Sequence, residues 1–230
     1  MSAVSNIQEL KRSIRETADK AGRDPAGIGL VIVTKTVLPE KILEAYGAGE
    51  RDFGENRVQE WQDKKETLPT DIRWHLIGHL QTNKVKYVVG KSTLIHSLDR
   101  LELADAIEKQ AAGKGIAEVP CLVQVNMSGE ESKFGLDPAQ VESFMKQITG
   151  KSAIKIKGLM TIGPLTEDEA RIRDCFRKTR QLFEDLSMRF REHHWEVLSM
   201  GMSADYKIAI EEGANMLRIG SLVFPRGAVK

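Results

Sequence analysis

The hydrophobic positions of this chain follow two rhythms. Residues 5 to 21 repeat apolar side chains at helical spacing among charges, which predicts an opening amphipathic helix. After it come short β-branched and apolar runs, beginning at Gly29 (GLVIVTK), Arg51 (RDFGEN), Ile72 (IRWHLIG), Thr93 (TLIHSLD), Val119 (VPCLVQVNM), Lys155 (KIKGLMTIG), Trp195 (WEVLSMG) and Asn215 (NMLRIGS). Each is predicted to be a strand, RDFGEN being the weakest because it is so short. Between them lie helical windows such as PEKILEAYGAG, with proline at the start and glycine at the end, and DRLELADAIEKQAAG, with the same glycine stop. Strands separated by crossover helices form right-handed βαβ units in a parallel sheet. About eight such units predict an α/β fold, a single (β/α)8 TIM barrel spanning residues 1–230 with an extra N-terminal helix. A doubly wound open sheet is the alternative if one or two of the weaker strands fail.

Composition then narrows the function classes. With 41% apolar and 29% charged residues the chain can bury a substantial core. A formal net charge of +1 gives no electrostatic footprint for nucleic acid or an anionic membrane. No stretch approaches the roughly 20 apolar residues of a membrane span, and the N-terminus is polar rather than a secretory signal. A cytoplasmic protein is expected. Cys121 and Cys175 lack metal or CxxC spacing, as reduced thiols would. His75 and His79 are four apart, but in a predicted strand and a loop, so the helical zinc geometry is absent and no metal is predicted. No GxGxxG or P-loop follows a strand, and no paired-carboxylate or Ser/His/Asp set can be assigned, so no residue is given a catalytic role.

Barrel sites collect where the strands end at the C-terminal face. Those ends carry Lys35, Asn56, Gly78, Asn126, Met160 with Thr161, Ser199 with Gly201, and Arg218 with Gly220. Strand alternation puts Val31, Val33 and Lys35 on one face, so inward valines send Lys35 into the mouth. An amine there is expected to be partly desolvated and to attack carbonyls; the plainer alternative is a stem lying on apolar surface with its ammonium in water. In LSMGMSADYKIAIEEG, Gly201 permits close backbone approach, and Ser203 with Asp205 is expected to open a helix as an N-cap with an acid in its first turn. Loops after strands seven and eight commonly hold phosphate, though an ordinary capped turn accounts for the same residues. Arg218 lies in an apolar strand where a charge needs a partner, either a ligand or a structural salt bridge. Gly220 and Ser221 add donors beside it. An aldehyde for Lys35, a phosphate for the loops and an acceptor for Arg218 are all present in pyridoxal 5'-phosphate.

The motifs VTKT, FGENRVQE, WHLIGHLQTNK, SGEESKFG, GLMTI and LSMGMSADYKIAIEEGANMLRIGS resemble, over nearly the whole chain, the YggS/PROSC family of pyridoxal-phosphate-binding proteins. The resemblance implies a barrel like the N-terminal domain of alanine racemase (fold type III), with pyridoxal 5'-phosphate held on Lys35 as a Schiff base. It also implies Arg218 at the pyridine nitrogen, Ser199, Gly201, Ser203, Gly220 and Ser221 at or near the phosphate, and Asn56 near the ring. The implied role is vitamin B6 homeostasis, affecting amino-acid and keto-acid balance without established turnover, with apo-enzymes that use the cofactor as possible partners. A monomer is expected, since no long heptad or exposed apolar face announces a partner. A guanidinium, always charged and donor-only, favours an unprotonated ring nitrogen and hence a weak electron sink. Two other functions compete: a pyridoxal-phosphate racemase for small amino acids, and a cofactor-free Schiff-base lyase acting on a phosphorylated sugar-like substrate. The tyrosines Tyr46, Tyr87 and Tyr206 fall in predicted helices, where packing explains them more simply than two-base catalysis.

Overall fold

A computed structural model describes residues 2–224 of the protein. Eight parallel strands close on themselves in chain order: β1 (Gly29–Val33), β2 (Asp52–Glu55), β3 (Arg73–Leu76), β4 (Leu94–Leu98), β5 (Val119–Gln124), β6 (Ile154–Met160), β7 (Val197–Ser199) and β8 (Met216–Ile219). Closure comes from β8 beside β1, where Val31 pairs with Arg218 and Ile32 with Ile219. All eight predicted strands are present, the short β2 included, so the open-sheet alternative falls. The helices are α1 (Ala3–Lys20), α2 (Pro39–Gly47), α3 (Val58–Thr67), α4 (Val85–Val88), α5 (Leu101–Lys114), α6 (Val141–Ile148), α7 (Glu169–Arg189) and α8 (Tyr206–Glu211). Among the described residues no helix is long and apolar enough to cross a membrane.

Alternation along the strands separates two interiors. One parity, including Ile32, Phe53, Trp74, Ile95, Val123, Leu198 and Ile219, joins the main core with the helices. The other parity points into the barrel, where Leu94, Leu122 and Met160 form a separate small apolar cluster. The same inner parity also carries polar side chains: His75, His96, Ser199 and Arg218 are all buried. Gly158 makes the local packing possible. At φ 145° it follows a bulge in β6 at Lys157, which lies between the Cys121–Ile156 and Leu122–Gly158 pairs, and a Cβ there would lie 1.8 Å from the Val197 carbonyl oxygen.

The opening helix is an integral layer. Ser2 caps α1 by accepting from the Ser5 amide, and Ile7, Leu10, Ile14 and Ala18 bury one stripe at i, i+3, i+7 and i+11. Each large member of that stripe contributes roughly 1.5–3 kcal/mol. Ser13 Oγ lies 2.8 Å from the Tyr206 hydroxyl, and Arg23 donates to the carbonyls of Ile210 and Ala214, so this layer braces α8 beneath the mouth.

Candidate functional site

A cavity of about 780 Å³ opens at the C-terminal end of the barrel. Of the residues expected there, Lys35, Asn56, Ser203, Arg218, Gly220 and Ser221 line it together. Ser199 and Gly201 do not. Ser199 is fully buried one layer below, and Gly201, at φ 93°, packs under α8, where a Cβ would meet the Ala209 side chain at 2.6 Å.

Lys35 stands on a constrained turn. β1 ends at Val33, which places Lys35 beyond the last barrel layer; it is exposed at the rim and not, as expected, partly desolvated. Behind it lies a buried polar cluster. Lys64 Nζ donates to Glu55 Oε1 at 2.6 Å and to the Thr34 carbonyl at 2.7 Å, and the Thr34 hydroxyl also donates to Glu55 Oε1 at 2.6 Å. Burial raises the Glu55 pKa, opposed by the hydrogen bonds from Lys64 and Thr34. Thr36, next to Lys35, adopts φ 62°, which a β-branched residue holds only under constraint. Its amide donates to Glu60 Oε2 at 3.0 Å and its hydroxyl to the Lys35 carbonyl at 2.6 Å. The backbone carrying the amine is therefore clamped on both sides.

Arg218 forms part of the cavity floor. It is 4% exposed, and burial lowers its pKa to about 10, which leaves it charged at neutral pH. Among the described residues no carboxylate lies within salt-bridge distance, which removes the structural ion pair as its explanation. Instead Nη1 donates to Ser199 Oγ at 2.6 Å and Nη2 to the Thr161 carbonyl at 2.7 Å.

The loops after β7 and β8 supply the third element, by a different route from the one predicted. Ser203 does not cap α8. Asp205 occupies that position, and its carboxylate turns back to accept from the Met202 amide at 2.6 Å, closing the 202–205 turn. Burial pushes the Asp205 carboxyl pKa up, against the Met202 hydrogen bond and the Arg218 charge. Among the described residues the amides of Ser203, Ala204, Ser221 and Leu222 donate to no acceptor, and Ser203, Ala204 and Ser221 line the cavity. Unpartnered amides from two converging turns are a donor set that can receive an anion.

Sequence reasoning missed the far wall. His79, Gln124, Lys133 and Phe134 line the cavity, with His79 stacked on Phe134 at 4.0 Å between ring centroids. Gln124 Nε2 donates to the Phe134 carbonyl and Lys133 Nζ to the Gly163 carbonyl, fixing the SGEESKFG loop over the mouth. The available signal was the polar, glycine-containing loop after a strand. Tyr206, by contrast, is tied to Ser13 on α1.

Known proteins place this geometry. The sequence matches the alanine racemase N-terminal domain family over residues 5–225. It is 44% identical to the pyridoxal phosphate homeostasis protein of Aquifex aeolicus, covering 97% of this chain and 98% of that one. The protein of the same name from Pseudomonas aeruginosa is 38% identical over 97% of this chain and 96% of its own. PipY of Synechococcus elongatus, solved with pyridoxal phosphate bound, superposes with a TM-score of 0.85 at 33% identity, covering 97% of this chain and all of PipY. Alanine racemase of Streptomyces coelicolor, at 16% identity, shares the fold over 58% of its length with a TM-score of 0.72. By extent and identity of these matches, the chain belongs to the alanine racemase N-terminal domain family, among the pyridoxal phosphate homeostasis proteins.

Proposed function

We propose that the protein binds pyridoxal 5'-phosphate in the barrel mouth, on Lys35, and serves the homeostasis of that cofactor. The bound cofactor supplies an aldehyde carbon, an aromatic nitrogen that accepts a hydrogen bond, and a phosphate dianion. The residues present fit it. Lys35 offers the amine, and the clamped 34–36 turn fixes where that amine enters the cavity. Arg218, a donor only, would hold the ring nitrogen by a hydrogen bond and favour its unprotonated form. Ser203, Ala204, Gly220 and Ser221 bring backbone N–H and hydroxyl donors to the phosphate from two loops, and Asn56 lies near the ring. Ser199 and Gly201 act from beneath, Ser199 on Arg218 and Gly201 on the shape of the loop. The observation that carries this proposal is the meeting of an amine, a buried guanidinium and unpartnered amides around one cavity.

The names of the relatives and the PipY complex support the same role. In it the protein holds and releases the cofactor as a cytoplasmic monomer, exchanging it with apo-enzymes, and is not a turnover catalyst. The test is an absorbance spectrum of the purified protein, followed by borohydride reduction and peptide mapping. A near-visible band that reduction abolishes, with the label on Lys35 and none in Lys35→Ala, is expected. A label on another residue, or none, overturns the proposal. Loss of optical activity in small amino acids, abolished in Lys35→Ala, would restore the racemase.

A further inference from the structure

The cation under the cavity is connected to a carboxylate at the opposite end of the barrel. From Arg218 Nη1 the chain passes to Ser199 Oγ at 2.6 Å, from Ser199 Oγ to His96 Nδ1 at 3.2 Å, from His96 Nε2 to His75 Nδ1 at 3.0 Å, and from His75 Nε2 to Asp52 Oδ1 at 3.1 Å. Asp52 stands at the start of β2 and is also bound by Arg73, whose Nε and Nη2 donate to its two oxygens at 2.7 and 2.5 Å. His75 is 3% exposed, while His96 and Ser199 are fully buried. A barrel interior of this size is usually filled by branched aliphatics, so a file of four polar side chains needs a reason.

The two ends fix the direction of every bond between them. Arg218 has no acceptor, so Ser199 Oγ accepts from it. Asp52 is ionised: burial raises its pKa, but the hydrogen bonds from Arg73 and His75 outweigh that and hold it well below the usual carboxylate range. Its oxygen therefore accepts, and His75 carries a proton on Nε2. One arrangement of neutral rings satisfies the remaining contacts. His96 donates from Nε2 to His75 Nδ1, and the Ser199 hydroxyl donates to His96 Nδ1. The reverse arrangement makes His75 an imidazolium, brings a second cation into the same interior as Arg218, and leaves the Ser199 proton without an acceptor in the chain.

We propose that His75 and His96 are positioning residues for Arg218, forming a one-way hydrogen-bond chain anchored on Asp52 that locks the Ser199 hydroxyl and so aims the guanidinium at a neutral aromatic nitrogen in the cavity. With its proton held by His96, Ser199 turns its lone pairs to Arg218. The Thr161 carbonyl holds the other Nη, and the remaining donors are left for the cavity that Arg218 lines. The ligand end of this inference rests on the proposed function; the chain itself does not.

The test has two independent readouts. In ligand-free protein with 15N-labelled histidine, long-range 1H–15N spectra at neutral pH are expected to show His75 and His96 both neutral and protonated on Nε2. In Asp52→Ala, a partly exposed site outside the cavity, His75 is expected to lose that single tautomer. A proton on Nδ1 of either ring in the wild type, or an unaltered His75 in Asp52→Ala, overturns the chain. For the ligand end, Ser199→Ala is expected to shift the absorption band of bound pyridoxal phosphate and weaken its retention about tenfold or more, the loss of an acceptor facing a charged donor. A wild-type band and retention in Ser199→Ala overturn the positioning role. Failure of borohydride to label Lys35 refutes the proposed function instead and leaves the tautomer result standing.

Discussion

Replacing Lys64 by methionine should cost the protein much of its stability at neutral pH, and less as the pH is lowered. Lys64 and Glu55 are 7% and 0% exposed and bonded at 2.6 Å. Methionine keeps most of the stem volume but leaves the Glu55 carboxylate buried with the Thr34 hydroxyl as its remaining donor. Breaking one side of such a pair costs about 3–5 kcal/mol, out of a total of about 5–15 for a domain. At about 2–4 °C per kcal/mol for a chain of this size, the melting temperature falls by about 6–20 °C. The pH dependence follows from linkage. Burial already holds the folded Glu55 pKa above the ordinary 4.5, and losing Lys64 removes contributions that lower it, so it rises further in the variant. A group whose folded pKa is raised binds its proton more tightly when folded. Stability is therefore greatest below the unfolded value and declines as pH rises through the folded one, over a wider window in Lys64→Met. Urea unfolding at several pH values checks this, with Glu55→Gln/Lys64→Met closing the cycle and recovering a large part of the loss. A deficit below about 1 kcal/mol at neutral pH, or one that does not change with pH, would refute the argument.

Asp52→Asn should remove a contribution of the opposite sign. The folded pKa of Asp52 is depressed, so its contribution is present above the unfolded value and is lost as pH falls below about 4; melting curves of the two proteins should converge in acid. Burial pushes the Cys121 thiol far up and the Cys175 thiol up to about 11, so iodoacetamide at pH 8 should spare both in the native protein and label both in urea. Labelling under native conditions would show that α7 or β5 opens readily. Arg218→Met should abolish the thermal shift that pyridoxal phosphate produces, which in the wild type at 100 times the dissociation constant corresponds to about 2.7 kcal/mol. An undiminished shift would remove Arg218 from the binding set.

The barrel was legible because its signal is local. Eight short runs, each with one parity for the helices and the other for the interior, suffice to count strands, and the same parity puts Arg218 inside, whereas Lys35, beyond the end of β1, stands exposed at the cavity rim. What the sequence could not show is non-local. Ser199, at a strand end beside Gly201, looks like a loop hydroxyl for phosphate. The short β7 instead ends with it facing Arg218, 19 residues away, and His96, 103 residues away. His75 and His96 read as unrelated strand residues until barrel closure brings β3, β4 and β7 around one axis. The cap expected from Ser203 and Asp205 failed for a geometric reason, since the aspartate closes its own turn, and the amides left over are the donors that the proposed anion site would use.

These features divide the labour of selecting a ligand. The backbone beside Lys35 and the Arg218 guanidinium are each held by a buried polar set, one behind β1 and one along the barrel axis, whereas the proposed anion site would use backbone N–H groups and serine hydroxyls. A phosphorylated sugar aldehyde could satisfy Lys35 and the loop amides, and its hydroxyl oxygens could accept from Arg218, so Arg218 sorts most sharply against ligands that present no acceptor there. Covering a buried charged donor without pairing it costs about 1–3 kcal/mol or more, and sites built around such a donor discriminate strongly against ligands that leave it unpaired. If the ligand binds as proposed, the cost of leaving Arg218 unpaired under the mouth would contribute to selectivity. On the proposed function it would favour a phosphorylated aldehyde with an acceptor opposite Arg218, as the ring nitrogen of pyridoxal phosphate would be, met by the donors that Ser199 and Thr161 leave free.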